Sequence, residues 1–490
     1  MSTGRLLLSR CGVVVFKNVK SEYNRGFSTT AVSSIYSKDK NVQSNYQPVS
    51  EFYAGKSVFI TGGTGFLGKV FIEKLLDSCS KLDKIYILIR DKKGQKVNER
   101  MKSVFNNPLF SKIKETNPKL LNKIVPVTGD LMLPNFGLKP EDEQALIDNV
   151  SVVFHAGATI KFNEPLPVAM RINFEGTRTI LDLCQRMKNV EAFVYISTAF
   201  AHVGKRILME TVYPSPKPVE EVYKFIERNG GDKKETEKFL DPRPNTYIFT
   251  KALSEAYIAK NHGKVPAVII RPSVVTSVKD GHAKGWVDNW FGITPILYNA
   301  AKGWNRVVRA SGENYVEFIP VDYVSNLSLI AASRAKDSRE VKVFNSISSD
   351  ENPMTWKETY KYFIDETVKS GKNDLPYPGV FFTKSWAIVH AWSILCQIAP
   401  AHAADWWLKM TGQEPKYAKL MYNVIAIRNG VDYFTSRPWP MRSERSRQLI
   451  SSLSAEDKEL FPCDPSHIQW PEYMRDYCHG VFRYLKSRDA

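Results

Sequence analysis

The segment from Ser57 to Gly68 constrains the fold of this chain more than any other stretch. The β-branched run Ser57–Thr61 predicts a strand, the apolar periodicity of residues 66–76 predicts a helix, and glycines fill the turn between them. Gly62 permits the turn, Gly65 lets the backbone approach a pyrophosphate, and Gly68 allows close packing of helix on sheet. The helix N-terminus then offers unpaired N–H groups to the phosphates. The pattern predicts a dinucleotide site formed by Thr61, Gly62, Gly63, Thr64, Gly65, Phe66, Leu67 and Gly68.

Hydrophobic runs alternate with helical periodicity from Lys56 onward. This alternation predicts an α/β fold, a Rossmann-type doubly wound parallel sheet with helices on both faces. Helical periodicity is clearest at residues 70–76 and 177–188. Strands are predicted at Ser57–Thr61, Lys84–Arg90, Lys123–Thr128, Ser151–Ala156, Ala192–Ser197, Ala267–Arg271 and, much later, Lys342–Asn345.

Length and charge restrict the class of protein. With 490 residues, 43% of them hydrophobic, the chain predicts more than one folding unit and a substantial core. A net charge of +17 favours an anionic partner or surface, such as a phosphorylated cofactor, a coenzyme A ester or an acidic membrane. The basic residues are spread out and the sequence has no nucleic-acid motif, so no nucleic acid is expected. A solvated basic surface without a specific partner is the alternative.

The six cysteines are scattered and form no CxxC pair. Cys463 and Cys478, with His467 and His479, lack the spacing of a zinc finger. A reduced intracellular protein without a structural metal is therefore predicted.

Residues 1–50 are predicted to be an extension that does not belong to the fold. They are basic and rich in Ser and Thr, residues 6–19 can form a basic amphipathic helix, and Arg25-Gly-Phe-Ser28 resembles a mitochondrial processing site. A mitochondrial location is the expectation, with a peroxisomal or endoplasmic reticulum membrane as the alternative. A disordered tail would have a similar composition.

Arg90 closes the second predicted strand about twenty residues past the last glycine, where an NAD enzyme carries an acid for the ribose 2′-hydroxyl. An arginine there favours the 2′-phosphate of NADP, because guanidinium pairs bidentately with phosphate, and Lys92 and Lys93 are nearby. An ordinary surface arginine is the alternative.

Two further strand ends are candidates for cofactor contact. Asp130, followed by Leu131, comes after the third strand and either accepts a hydrogen bond from the adenine amino group or serves as a turn residue. His155, followed by Ala156 and other small residues, ends the fourth strand, as needed where the backbone passes along a cofactor.

Tyr247 and Lys251 are the strongest candidates for catalytic residues in the sequence. Residues four apart share a helix face, so the phenol and the ammonium are expected at one place. A free phenol titrates near pH 10 (roughly), and a neighbouring cation would stabilise the phenolate and lower its pKa toward a useful range. The pair lies between the fifth and sixth strands, downstream of the glycine turn.

Ser197 and Thr198 end the fifth strand, which places a hydroxyl at the carboxyl edge of the sheet, where ligands bind. Asn173 opens the helix after the fourth strand and is either a site residue or an N-cap. Each of these residues taken alone could be structural. Together with Tyr247 and Lys251 they form an ordered set that favours a reductase site.

With these residues the chain resembles the extended short-chain dehydrogenase/reductase family. Five longer blocks carry a closer resemblance: Phe52-Tyr-Ala-Gly-Lys-Ser-Val-Phe-Ile-Thr-Gly62, Arg271-Pro-Ser-Val-Val-Thr-Ser277, Gly285-Trp-Val-Asp-Asn289, Ile319-Pro-Val-Asp322 and Leu453-Ser-Ala-Glu-Asp-Lys-Glu-Leu-Phe-Pro462. By these blocks the chain is similar to the alcohol-forming fatty acyl-CoA reductases, most of all to insect members, from about Glu51 to Leu485. The N-terminal extension departs from the usual pattern, in which the glycine turn lies close to the start.

The resemblance implies reduction of long-chain or very-long-chain acyl-CoA to a primary alcohol by NADPH, through a bound aldehyde. It implies that Tyr247 donates a proton to the carbonyl oxygen and that Thr198, aided by Ser197, hydrogen-bonds the same oxygen. Lys251 would hold the nicotinamide ribose, and Asn173 would hold a proton-relay water. Pro272 and Val274 of the same motifs would also contact the cofactor.

The same resemblance implies the domain organisation. Residues 51–350 are predicted to form the NADP-binding reductase domain, and residues 351–490 a smaller helical domain. Within the latter, the uncharged stretch Ser385–Ala404 and the following Trp406 and Trp407 suit an interfacial or tunnel-lining segment that contacts a membrane surface. A buried core helix is the alternative.

Two other functions compete with this reading. A related dehydrogenase acting on a sterol or sugar nucleotide would share the first motifs but needs neither the late blocks nor the hydrophobic segment. A catalytically silent dinucleotide-binding subunit would keep the glycine turn and usually lose the Tyr/Lys pair, which this chain has.

Overall fold

The computed structural model describes residues 46–91, 94, 97–336 and 339–486. The described residues from Pro48 onward form one compact unit. The predicted targeting helix and processing site fall outside the described residues, and the domain boundary near residue 350 stays a prediction. The strands are β1 (Ser57–Thr61), β2 (Ile85–Ile89), β3 (Ile124–Thr128), β4 (Val150–His155), β5 (Ala192–Ile196), β6 (Ala267–Pro272), β7 (Val274–Thr276), β8 (Val307–Arg309), β9 (Phe318–Pro320), β10 (Lys342–Ser346) and β11 (Phe381–Thr383).

Seven of these strands form one parallel sheet in the spatial order β10-β6-β5-β4-β1-β2-β3. The predicted doubly wound sheet is confirmed, and every predicted strand occurs within one residue of its expected bounds. Strand order reverses between β4 and β2, on either side of β1. Such a switch point opens a crevice beyond the carboxyl ends of the strands, where ligands bind in this fold class.

Both faces of the sheet are covered. In β1, Val58 and Ile60 pack into the core on one face, and Phe59 packs into the core on the other. Burial on both faces explains why the strand reads as a continuous apolar run rather than an alternating one.

Helices connect the strands and form most of the remaining chain. They are α1 (Val49–Phe52), α2 (Phe66–Ser78), α3 (Val97–Phe105), α4 (Ser111–Thr116), α5 (Pro140–Asn149), α6 (Leu166–Ala169), α7 (Gly176–Arg186), α8 (Val219–Asn229), α9 (Lys233–Leu240), α10 (Thr246–Asn261), α11 (Thr294–Ala301), α12 (Val321–Ser333), α13 (Trp356–Lys369), α14 (Trp386–Ser393), α15 (Ala399–Met410), α16 (Tyr417–Gly430), α17 (Asp432–Thr435), α18 (Glu444–Ser451), α19 (Ala455–Leu460) and α20 (Trp470–Gly480).

The last third of the chain is mainly helical, as expected, with one exception. The short strand β11 pairs with β8 in a two-stranded parallel sheet. The sequence did not indicate β11, because a three-residue strand carries too little periodicity. The segments α14 and α15 are continuous through a π-helical turn at Ile394–Ile398, which precedes Pro400 and relieves its missing N–H.

This combined helix, Trp386–Met410, has the length and composition of a membrane span, and 22% of its most apolar window is buried. The alternative of a buried core helix is therefore wrong. Its exposed large side chains include Leu395, Trp406, Trp407 and Met410.

A buried ion pair fixes α10 to the sheet. Glu255, on α10, accepts hydrogen bonds from the Arg271 guanidinium on β6 at 2.6 and 3.0 Å. It also bonds the Ser197 hydroxyl and lies 2.7 Å from Nε2 of His202, both just after β5. Burial alone would raise the pKa of Glu255, but Arg271 and His202 outweigh it and lower the pKa. The carboxylate is thus charged and joins three elements at the carboxyl edge of the sheet.

Replacing Glu255 by Gln would leave the Arg271 charge buried without a counter-ion. We expect Glu255→Gln to lower the free energy of unfolding by about 3–5 kcal/mol, measured by urea unfolding followed by circular dichroism. Glu237→Gln, which removes an exposed partner of Lys233 on α9, is the control and should change little. Equal small effects would contradict the structural role of Glu255.

Candidate active site

A cavity of about 1400 Å³ opens at the carboxyl edge of the sheet. One end is lined by the turn between β1 and α2, the middle by the residues that follow β5 and β6, and the other end by α16 and α17. The cavity therefore lies at the switch point and brings together segments from three distant parts of the chain.

The glycine turn forms a cradle that only glycine fits. Gly62 has φ +74°, and a Cβ there would lie 2.7 Å from the backbone N of Gly157. A Cβ on Gly68 would collide with the carbonyl oxygen of Gly62. Because α2 begins directly after Gly65, its first N–H groups face the same end of the cavity. The described residues fit the pyrophosphate of a dinucleotide.

Most of the predicted cofactor residues line this cavity, but three do not. Thr61, Gly63 and His155 lie behind the cavity wall. Nδ1 of His155 lies 2.6 Å from Oγ1 of Thr61, and Nε2 lies 3.1 Å from Oγ1 of Thr177. Burial lowers the pKa of His155 to about 3, so the ring is neutral and ties β4 to β1 and α7. The predicted cofactor residues that line the cavity are Gly62, Thr64, Gly65, Phe66, Leu67, Gly68, Arg90, Asp130, Leu131, Ala156, Lys251, Pro272 and Val274.

A second arginine, Arg100 on α3, stands beside Arg90 at this end of the cavity. Arg100 donates to Oγ1 of Thr64 at 3.3 Å and to the carbonyl oxygen of Arg90. Nη1 of Arg90 pairs with Oδ2 of Asp130 at 3.2 Å, and the other carboxylate oxygen of Asp130 accepts from the N–H of Met132. Asp130 therefore stabilises the turn after β3, and its contact with the adenine amino group stays a prediction. Arg100 was not predicted from the sequence, because its contact with the glycine turn depends on where helix α3 packs in the folded protein.

Thr198, Tyr247 and Lys251 line the middle of the cavity. Helix α10, which carries Tyr247 and Lys251, begins at Thr246 and is capped by Asn245, whose side chain accepts from the N–H of Ile248 at 2.9 Å. Burial raises the pKa of Tyr247 to about 12, and the Thr198 hydroxyl partly opposes this shift. The phenol is thus protonated at neutral pH.

Lys251 is turned toward the sheet. Its ammonium donates to the carbonyl oxygen of Ile196 at 2.6 Å and lies 4.5 Å from the ring centroid of Tyr195. Burial lowers the pKa of Lys251 to about 7, and Glu255 opposes the shift. The expected lowering of the Tyr247 pKa by Lys251 is not observed, because burial of the phenol dominates its pKa.

Asn173 and Ser197 have different surroundings from those expected. Asn173 lies inside a π-helical segment, Met170–Glu175, that continues from α6, so it neither opens a helix nor caps one. Its amide bonds both the N–H and the carbonyl of Thr159 and the hydroxyl of Thr250, which positions the loop after β4 against α10. Because the Ser197 hydroxyl donates to Glu255, it does not assist Thr198 at a substrate oxygen.

The far end of the cavity is apolar and is built by the C-terminal region. Ile427, Val431 and Phe434 line it. The ring of Phe434 lies 5.4 Å from that of Phe162, which in turn stacks 6.3 Å from the ring of Tyr247. An apolar chamber thus begins directly beside the phenol. These contacts join segments that are distant in the sequence, and no local signal could have identified them.

Comparison with known proteins gives the family. A family model described as "Male sterility protein" matches residues 60–328, and a second with the same description matches residues 396–487. Fatty acyl-CoA reductase 1 from Homo sapiens is 36% identical over 447 residues, which are 90% of this chain and 87% of that protein. The chain belongs to the fatty acyl-CoA reductase family. Fatty acyl-CoA reductase 2 from Mus musculus is 33% identical, with the same shares covered.

Solved structures support the fold. The terminal R domain from the myxalamid PKS-NRPS pathway superposes with a TM-score of 0.61 at 18% identity, covering 88% of this chain and 92% of that one. The reductase domain of a non-ribosomal peptide synthetase from Mycobacterium tuberculosis gives a TM-score of 0.56 at 17% identity, covering 87% and 91%. The predicted membership of the acyl-CoA reductases is confirmed, and the chain is an oxidoreductase with a nicotinamide dinucleotide-binding domain.

Proposed function

We propose that this protein reduces long-chain fatty acyl-CoA to primary fatty alcohol with NADPH. The observation that carries the proposal is the single cavity that joins the glycine cradle, the Thr198–Tyr247 pair and an apolar chamber. A dinucleotide, a carbonyl group and an acyl chain can therefore meet at one place. The names of the reductase relatives support the same substrate class.

The bound dinucleotide would supply hydride to the carbonyl carbon. Tyr247, protonated because burial raises its pKa to about 12, donates its proton to the carbonyl oxygen as negative charge develops there. Thr198 donates a hydrogen bond to the same oxygen and stabilises that charge. Lys251 lies one helical turn further along α10 and would hold the nicotinamide ribose. Two such reductions convert the thioester, through a hemithioacetal and an aldehyde, to the alcohol.

Removing the Tyr247 hydroxyl tests this role. With NADPH and a panel of saturated acyl-CoAs in detergent, wild-type protein should yield alcohols, identified by mass, and Tyr247→Phe should yield none while still binding NADPH. Tyr257→Phe, on the same helix but outside the cavity wall, is the matched control and should stay active. Loss of NADPH affinity in Tyr247→Phe would point to a structural role. Wild-type NADPH binding without any product would favour a silent subunit or a sterol or sugar-nucleotide substrate.

Preference for NADPH is proposed to depend on Arg90 and Arg100. Both side chains line the cavity, the Arg100 guanidinium donates to the backbone carbonyl of Arg90, and burial followed by the charge of Arg90 lowers the pKa of Arg100. A 2′-phosphate bound by both arginines would relieve the repulsion between their positive charges.

We expect Arg90→Ala and Arg100→Ala each to raise the ratio of NADH-supported to NADPH-supported kcat/KM by about tenfold or more. An unchanged ratio in both variants would contradict the role.

A membrane surface is the proposed partner of the helix Trp386–Met410. Trp406 and Trp407 on α15 are 63% and 64% exposed. The neighbouring helix α16 packs on α15 and carries Ile427. The side chain of Ile427 is exposed and also lines the cavity. Acyl chains could thus exchange between the bilayer and the chamber.

Vesicles of phosphatidylcholine and phosphatidylserine should retain wild-type protein several-fold better than a Trp406→Ser/Trp407→Ser variant. Leu460→Ser, an exposed apolar site on α19, is the control, and equal retention of all three proteins would contradict the proposal.

A further inference from the structure

A buried carboxyl group, Glu317, stands in the cavity wall outside the residues discussed so far. Its side chain is 5% exposed. Oε1 accepts a hydrogen bond from the Ser349 hydroxyl, whereas Oε2 has no hydrogen-bond partner among the described residues. Burial raises the pKa of Glu317 to about 8; the Ser349 bonds oppose this shift and the charge of Asp350 adds to it. Glu317 is therefore mostly protonated at neutral pH.

Ser273 stands next to Glu317 on the same wall. The parallel pairing of Val274 with Phe318 in β7 and β9, with a bond from the N–H of Val274 to the carbonyl of Glu317, puts Ser273 opposite Glu317. Register partners on parallel strands point their side chains to the same face. The hydroxyl of Ser273 is also buried and lacks a partner within the described part of the chain. Buried polar groups normally find partners, so two unsatisfied groups on neighbouring residues that line one cavity indicate a place for a ligand group.

The position of this pair relative to Thr198 limits what the ligand group can be. The N–H of Ala199 donates to the carbonyl of Pro272 at 2.8 Å. Thr198 therefore lies beside Pro272, the residue that precedes Ser273. The N–H of Val274 donates to the carbonyl of Glu317, and residues two apart on a strand direct their backbone groups to the same edge, so Glu317 follows the Thr198 segment along that edge. Thr198, Tyr247 and Glu317 line the same cavity, so a thioester whose oxygen is held by Thr198 and Tyr247 has its sulfur atom in the cavity that Glu317 lines.

We propose that Glu317 is the acid that protonates the sulfur atom of coenzyme A as it leaves. The inference rests on the proposed reduction of acyl-CoA. After the first reduction the hemithioacetal gives its hydroxyl proton back to the Tyr247 phenolate, and the electron pair of that O–H bond forms the C=O bond. The C–S bond breaks, its electron pair stays on sulfur, and sulfur takes the Glu317 proton. The products are aldehyde and free thiol, with no net oxidation or reduction in this step.

The chemistry of the two partners is matched. An alkyl thiol has a pKa of roughly 8.5, which is close to the pKa of about 8 of Glu317. Proton transfer from the Glu317 carboxyl to the thiolate is therefore nearly balanced in free energy. The carboxylate left behind regains its proton from water at the exposed rim near Tyr315, which lines the same cavity. Reduction of the aldehyde involves no leaving group and does not need Glu317.

The test compares two substrates in Glu317→Gln. Turnover of acyl-CoA to alcohol should fall by about 100-fold or more, while reduction of added fatty aldehyde should stay within about twofold of wild type. Glu313→Gln, an exposed carboxyl four residues earlier, is the matched control. Equal losses with both substrates, or no loss with acyl-CoA, would overturn the proposal. A wild-type protein that reduces no acyl-CoA would instead overturn the proposed function.

Two further readouts separate acid catalysis from a structural role. Acyl thioesters of more acidic aryl thiols should restore the rate of Glu317→Gln but change the wild-type rate little, and a variant indifferent to the thiol would contradict the proposal. The infrared spectrum of wild-type protein at neutral pH should contain a protonated-carboxyl C=O band that Glu317→Gln lacks. Identical spectra in that region would equally contradict it.

Discussion

The buried pair of Glu255 and Arg271 is the interaction on which the geometry of the site depends. Helix α10 carries both Tyr247 and Lys251, and Glu255 is its anchor to β6 and to the segment after β5. The Arg271 guanidinium also donates to the carbonyl oxygens of Met209 and Thr211 and so holds a long connection in place. A charge buried this deeply is tolerated only when it is fully paired, which makes the arrangement specific as well as stable. The positions of the phenol and the ammonium follow from that pairing.

Burial also decides the protonation of the groups that face the cavity. The pKa of Tyr247 is raised to about 12, that of Glu317 is raised to about 8, and that of Lys251 is lowered to about 7. In each case removal of water is the largest cause, since it disfavours the charged form. The resulting site holds proton donors in an apolar setting. A reaction that adds hydride to a carbonyl and releases a thiol needs donors of this kind.

The structural features that depend on short-range sequence patterns could be predicted from the sequence. The glycine turn, all seven strands of the main sheet and the helix that carries Tyr247 and Lys251 follow from periodicity and spacing within about twenty residues. The features it did not reveal depend on contacts between distant segments. Arg100 returns to the turn only through α3, and the apolar chamber requires α16 and α17 to pack beside Tyr247.

Errors about individual side chains have the same origin. His155 and Ser197 stand at strand ends, where ligand contact was expected, but neighbouring helices supply partners that occupy their polar atoms. Asn173 is likewise occupied by Thr159 and Thr250. The pKa of Tyr247 depends on how much water reaches the phenol, which no sequence spacing encodes.

Both reductions of the thioester carbon are proposed to take place in one cavity, with hydride from the bound dinucleotide each time. The most direct measurement uses NADPH carrying deuterium at both C4 positions of the nicotinamide, with unlabelled acyl-CoA, and counts deuterium at C1 of the alcohol by mass spectrometry. We expect two deuterium atoms at C1 of every product molecule. Alcohol with one deuterium or none, or deuterated aldehyde as the final product, would contradict it.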